Sequence, residues 1–139
     1  MDIDYPVVMS MVLEPVGCPQ VKVTAGPRVF SEQISASTKI HFEFRAHSSF
    51  DLTVELRNKD ALDPTTAVQI KNLEIFGIGH DKFLWAGAYY PNYPDHLADQ
   101  PSVIPSQTYL SWNGYYRLTI AVPVFVWIHQ TLNMGWLYR

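Results

Sequence analysis

Strict two-residue alternation in three separate windows constrains this chain most. In residues 38–46, Ile40, Phe42 and Phe44 alternate with Lys39, His41, Glu43 and Arg45. In residues 50–57, Leu52, Val54 and Leu56 alternate with Asp51, Thr53, Glu55 and Arg57. In residues 115–122, Tyr116, Leu118, Ile120 and Val122 alternate with Tyr115, Arg117, Thr119 and Ala121. Successive strand side chains point to opposite faces, so each window is a strand with one face on a core and the other in water. A helix would smear these apolar positions around its surface. The chain is therefore expected to be all-β, and each sheet needs a second one to cover its apolar face.

Turn chemistry divides the rest. Asn113-Gly114 between two β-type runs is a strong short hairpin signal, because Asn and Gly tolerate the positive φ of a type I′ turn. Residues 109–112 and 115–122 are expected to pair across it. His47-Ser48-Ser49 is a short turn, so its flanking strands are expected to be antiparallel neighbours. Residues 68–76 slip in phase between Val68/Ile70 and Leu73/Ile75, and a β-bulge near Lys71-Asn72 reconciles them. Residues 21–24 and 28–30 are short strand candidates. The apolar run 7–13, bounded by Pro6 and Pro15, reads as a first strand or as part of an N-terminal arm over residues 1–20 that lies on a neighbouring subunit. Residues 83–90 read as a strand weakened at Gly87. Residues 91–107 hold four prolines without periodicity, a length typical of a functional loop.

Residues 124–133 are open to two readings. Val124, Phe125, Val126, Trp127 and Ile128 favour a strand through Ile128, with a turn at 133–135 and a last strand at 136–138. Pro123 and Gly135 would instead bracket a helix with Val124, Trp127, Ile128 and Leu132 on one face. The strand is the preferred expectation. Phe125, Trp127 and Trp136 are expected in the core. One domain spanning residues 1–139 follows, an antiparallel two-sheet sandwich of jelly-roll type.

Composition bounds the function. The formal charge of −3 with no basic run argues against phosphate-backbone recognition. The single cysteine, Cys18, excludes an intramolecular disulfide and a cysteine-based zinc site. No apolar run approaches a membrane span. Residues 1–4 carry no positively charged start and no apolar run, so no secretory signal is expected in this chain and the expected location is a virion or the cytoplasm. No nucleophile elbow, phosphate loop or dinucleotide fingerprint occurs. The five histidines show no metal-ligand spacing. A non-catalytic role is expected.

Two surface features remain. Asn58, Asp60, Asp63 and the hydroxyls of Thr65 and Thr66 offer the hard oxygens that calcium takes from loops, although an Asx-type turn explains the same residues. The nineteen aromatic residues exceed what one small core encloses. Trp85, Tyr89, Tyr90 and Tyr93 lie in or before the proline loop, and Trp112 and Tyr115 flank the Asn-Gly pair. Flat rings at loop ends stack on the C–H face of a sugar or fill a protein interface, while Tyr and Trp also serve at core edges. Asp81, Asn92, Asp95, His96 and Asn113 could take sugar hydroxyls. Tyr90, Tyr93 and Trp112 are expected to share one partly exposed surface.

Two motifs carry a resemblance. Leu56-Arg57-Asn58-Lys59-Asp60 after a strand, and residues 110–116 followed by 123–128, resemble small phage-encoded β-sandwich proteins. The strand pattern is similar to jelly-roll carbohydrate-binding modules. The resemblance covers residues 50–139. It implies a non-enzymatic sandwich acting as a capsid, tail or fibre component among other subunits, as a homo-oligomer or in a virion. The alternative is a carbohydrate-binding module with an aromatic groove.

Overall fold

A computed structural model describes residues 4–57, 59, 65–93 and 99–132. Among the described residues, eleven strands form two antiparallel sheets facing each other, and two short helices flank them. The first sheet holds β1 (Tyr5–Val16), β4 (Thr38–Ala46), β6 (Ala67–Ile75), β7 (Ile78–Gly79) and β10 (Tyr109–Leu110). Its order is β10-β6-β1-β4, with β7 on β6. The second sheet holds β2 (Gln20–Ala25), β3 (Arg28–Gln33), β5 (Phe50–Arg57), β8 (Ala88–Pro91), β9 (Ile104–Pro105) and β11 (Gly114–Ile120). Its order is β3-β2-β5-β11-β8-β9. This is the expected jelly-roll sandwich.

The alternating windows behave as their patterns require. Ile40, Phe42 and Phe44 of β4 face Leu52, Val54 and Leu56 of β5 and Tyr116, Leu118 and Ile120 of β11 across one core. Each such side chain contributes about 1.5–3 kcal/mol by leaving water. Segment 7–13 lies within β1, which is paired on both sides, with β4 and β6. The register of β1 against β6 jumps between Ser10↔Glu74 and Val12↔Lys71, so Asn72 and Leu73 together oppose Met11. The bulge therefore sits where the phase slip in the sequence put it. Asn72 takes φ 55° there.

Other expectations are corrected. β4 and β5 are not neighbours, because the 47–49 turn carries the chain from one sheet to the other. Phe44 and Phe50 meet edge-on at 5.0 Å across that crossing. Residues 83–90 are not one strand. Helix α1 (Asp81–Trp85) starts where the His80 side chain accepts the Lys82 N–H at 3.1 Å, and β8 begins only at Ala88. Residues 124–131 form helix α2 (Val124–Thr131) and not a strand. Val124, Trp127 and Ile128 turn inward at helical spacing, with Trp127 packed on Phe83 at 5.5 Å. Phe125 consequently faces out, 54% exposed and stacked on Phe76 at 4.7 Å, so it is not core. Trp136, the turn expected at 133–135 and the strand expected at 136–138 lie outside the described residues. Among the described residues no helix is long and apolar enough to cross a membrane.

Two tyrosines anchor the second sheet to its surroundings. Tyr116 is fully buried and its hydroxyl donates to the Leu84 carbonyl at 2.7 Å. Tyr89, also fully buried, donates to the Trp112 carbonyl and accepts the Trp112 N–H at 3.0 Å. Burial disfavours the phenolate, pushing Tyr89 up to about 12 and Tyr116 further in the same direction. Both groups are raised above their unfolded value of 10.0, so their stabilisation is intact below that pH. Above it the unfolded chain ionises first and stability falls. The melting temperature, followed by circular dichroism, should therefore drop as pH rises from about 10 to about 12. In Tyr116→Phe that alkaline loss should shrink, at a cost of about 1 kcal/mol at neutral pH.

Candidate functional site

Residues 111–113 carry the chain from β10 in one sheet to β11 in the other. The Asn-Gly pair is thus not a hairpin turn, and 109–112 does not pair with 115–122. Tyr109 and Leu110 instead pair with Gln69 and Val68 of β6, while Gly114 to Ile120 pair with β5. The physical reason lies in side-chain chemistry that local propensity does not see. Asn113 Oδ1 accepts the Lys59 N–H at 2.8 Å, and Asn113 Nδ2 donates to the Lys59 carbonyl at 2.9 Å. The Asn92 N–H donates to the Asn113 carbonyl at 2.6 Å. The Asn113 amide thus works as a clamp between segments and not as a turn former. Gly114 has φ 141°, outside the left-handed helical region that a type I′ turn uses. A Cβ on it would lie 2.4 Å from the Tyr90 carbonyl oxygen.

Lys59 completes the crossing. Its side chain is almost wholly buried, and Nζ donates to the Thr66 carbonyl at 2.7 Å and to the Ser111 carbonyl. The same ammonium sits 4.5 Å from the centre of the Trp112 ring, a cation–π contact. Nothing in the sequence pattern marked Lys59. A lone Lys after a strand reads as solvated, and only the convergence of two carbonyls and a ring makes it structural.

Around this crossing stand the aromatic candidates. Tyr90 of β8 and Tyr115 of β11 are direct cross-strand partners on the outward face of the second sheet. Their rings stack with centres 5.0 Å apart and planes 20° from parallel. The Arg117 guanidinium lies 5.3 Å from the centre of the Tyr90 ring and holds that side of the ledge. Beside the ledge runs an open groove of 460 Å³, bordered by Glu55, Arg57, Asn92 and Asn113. Arg57 Nε and Glu55 Oε1 pair at 3.0 Å along its far side. Tyr93 and Trp112 form a second, edge-on pair at 6.3 Å, both half-buried. The backbones that carry the two pairs converge at Asn113-Gly114, where the Asn92 N–H donates to the Asn113 carbonyl.

The remaining candidates separate from this group. Tyr89 alternates with Tyr90 and points into the core, so it carries no exposed ring. Trp85 is 54% exposed on α1, where its carbonyl accepts from the Ser106 hydroxyl at 2.6 Å. Asp81 also belongs to α1 and lies away from the groove. Asn58, Asp60 and Asp63, proposed for calcium, lie outside the described residues, as do Asp95 and His96. Among the described residues no group of three or more His, Cys, Asp or Glu side chains converges to hold a metal ion.

No family model and no curated protein matches the chain. Solved structures do. A carbohydrate-binding module, vCBM60 in complex with galactobiose, aligns with a TM-score of 0.55 and 12% identity over 81% of this chain and 99% of that one. A selenomethionine form of vCBM60, linked to a circular permutation between two families of calcium-dependent carbohydrate-binding modules, aligns with a TM-score of 0.49 and 13% identity over 81% of this chain and 89% of that one. The first likeness, at this identity, establishes a shared sandwich fold.

Gly114 is the most exacting position in the crossing. Gly114→Ala should destabilise the protein by about 2–3 kcal/mol, because the new methyl meets β8 backbone that cannot give way and the residue keeps a φ that suits glycine. A urea titration measures this. Ala substituted at the neighbouring exposed Tyr115 should change stability by less than half as much.

Proposed function

We propose that this protein is a non-catalytic glycan-binding module that holds sugar on the Tyr90/Tyr115 ledge. The carrying observation is the stacked pair itself. Two rings with nearly parallel planes stack on an outward sheet face beside a groove that Glu55, Arg57, Asn92 and Asn113 border. A pyranose lays its C–H face on such rings, while its equatorial hydroxyls reach sideways to donors and acceptors. Asn92 and Asn113 offer amides, Glu55 an acceptor and Arg57 a donor fork. The fold supports the reading, since the aligned vCBM60 structure is a sandwich of this kind in complex with galactobiose. Tyr93 and Trp112 extend the aromatic surface past Asn113, enough for more than one sugar unit.

The phage structural role expected from the N-terminal apolar segment and the excess of aromatics receives no support from these likenesses, which are to carbohydrate-binding modules. Calcium stays a proposal resting on Asn58, Asp60 and Asp63 in the sequence. Chelator should then lower the melting temperature and added Ca²⁺ restore it, and an unchanged melting curve removes the metal.

A glycan array followed by calorimetry on the best ligand tests the ledge. Tyr115→Ala and Tyr90→Ala should each weaken binding at least about tenfold, equivalent to about 1.4 kcal/mol of stacking, with the fold retained. Absence of binding across the array, together with concentration-dependent self-association in light scattering that Tyr115→Ala abolishes, would instead make the ledge an assembly interface.

A further inference from the structure

The opposite sheet carries a second concavity that the ledge does not use. It lies on the outward face of the first sheet and has a volume of 350 Å³, within the range of about 300–1,000 Å³ that small-molecule sites occupy. Ser10 lies on its floor, Asn72 and Glu74 of β6 and Lys39 of β4 form its walls, and His80 and Asp81 close it from the start of α1.

Ser10 is the anomaly. It interrupts the apolar run of β1 and is only 7% exposed. Its hydroxyl makes no hydrogen bond among the described residues. Among the described residues no buried side-chain polar atom lacks a partner, so the Ser10 hydroxyl opens onto the cavity, on a face of β1 that otherwise carries Val8 and Val12. Asn72 adds an independent irregularity. The β-bulge holds it at φ 55°, a region that non-glycine residues occupy at a cost, and it turns this residue to the cavity wall. The bulge also brings Glu74 opposite Ser10.

We infer that this cavity is a second binding site, and that its ligand is a small neutral polyhydroxylated molecule the size of a monosaccharide. The chemistry of the lining selects that class. Lys39 and the Asn72 amide donate, Glu74 and Asp81 accept, and the Ser10 hydroxyl does either. His80 Nδ1 accepts the Lys82 N–H, so in the neutral ring the proton sits on Nε2, a donor. The two carboxylates repel an anion, and the Lys39 ammonium offsets part of their pull on a cation. The described lining holds no Phe, Tyr or Trp ring, so the molecule is gripped mainly through its hydroxyls and not by stacking. This site stands apart from the ledge, on a different sheet, and does not depend on it.

Nuclear magnetic resonance on the Tyr90→Ala/Tyr115→Ala protein isolates it from the ledge. D-galactose and D-glucose are titrated separately, with glycine as a zwitterionic control. Saturable shifts of the Ser10, Asn72 and His80 amides by a sugar are expected. Ser10→Val should weaken that binding about tenfold, the loss of a buried hydrogen bond. Asn72→Gly should weaken it as well while keeping the bulge, because glycine accepts positive φ freely. No amide shift with either sugar, shifts with glycine alone, or sugar affinity unchanged in both variants would overturn the site. Loss of glycan binding at the ledge in the unsubstituted protein would overturn the proposed function and leave this result standing.

Discussion

The crossing at residues 111–113 is the joint on which the structure turns. A chain that runs from one sheet to the other must leave its strand ladder, and the backbone groups it strands there need partners. This protein supplies them from three directions. Tyr89 satisfies both backbone groups of Trp112, the Asn113 side chain exchanges two hydrogen bonds with Lys59, and the Lys59 ammonium binds carbonyls at Ser111 and Thr66. Removing one partner would leave others buried and unpaired, which is costlier than losing a surface bond.

That same joint builds the aromatic surface. Because Tyr89 points inward to hold Trp112, strand alternation sends Tyr90 outward, where Tyr115 meets it in register. Because Gly114 lacks a Cβ, β11 approaches β8 closely enough for the two rings to stack. Stability and the candidate binding ledge thus share residues, and the tight backbone contact at Gly114 serves both. The groove beside the ledge is open and flanked by Tyr90 and Tyr115, while the cavity on the far sheet is more enclosed and holds no Phe, Tyr or Trp ring. The two faces of one sandwich therefore offer different chemistry.

Turn chemistry shows where local signals mislead. Asn113-Gly114 is the best hairpin pair in the chain, yet it makes no hairpin. Among the described residues, a two-residue turn with positive φ at both positions falls instead at Phe76-Gly77, at 54° and 75°, joining β6 to β7 through the pair Ile75↔Ile78. A phenylalanine is a poor choice for that conformation on local grounds. Its ring stacks on Phe125 of α2, so a contact made only in the folded state accompanies the strain.

The sequence alone determined the faces. Period-two alternation set the limits of β4 and β5, the phase slip located the bulge at Asn72, and the inward and outward sides of β11 followed directly, because a strand has one period and a water-facing side must be polar. Which strands pair was decided by the tertiary structure. Neither the separation of β4 from β5 nor that of β10 from β11 is encoded in local propensity, since a short turn serves a hairpin and a crossing equally well. The helix at 124–131 was settled in the same way: its β-branched and aromatic residues favour a strand, but packing of Trp127 on Phe83 rewards helical spacing. The aromatic ledge was half legible. Tyr90 and Tyr115 could be named from the sequence, but only the register of β8 against β11 made them a pair, and only burial removed Tyr89 from their company. The Ser10 cavity was wholly tertiary, because its walls come from four strands and a helix start that no sequence window contains.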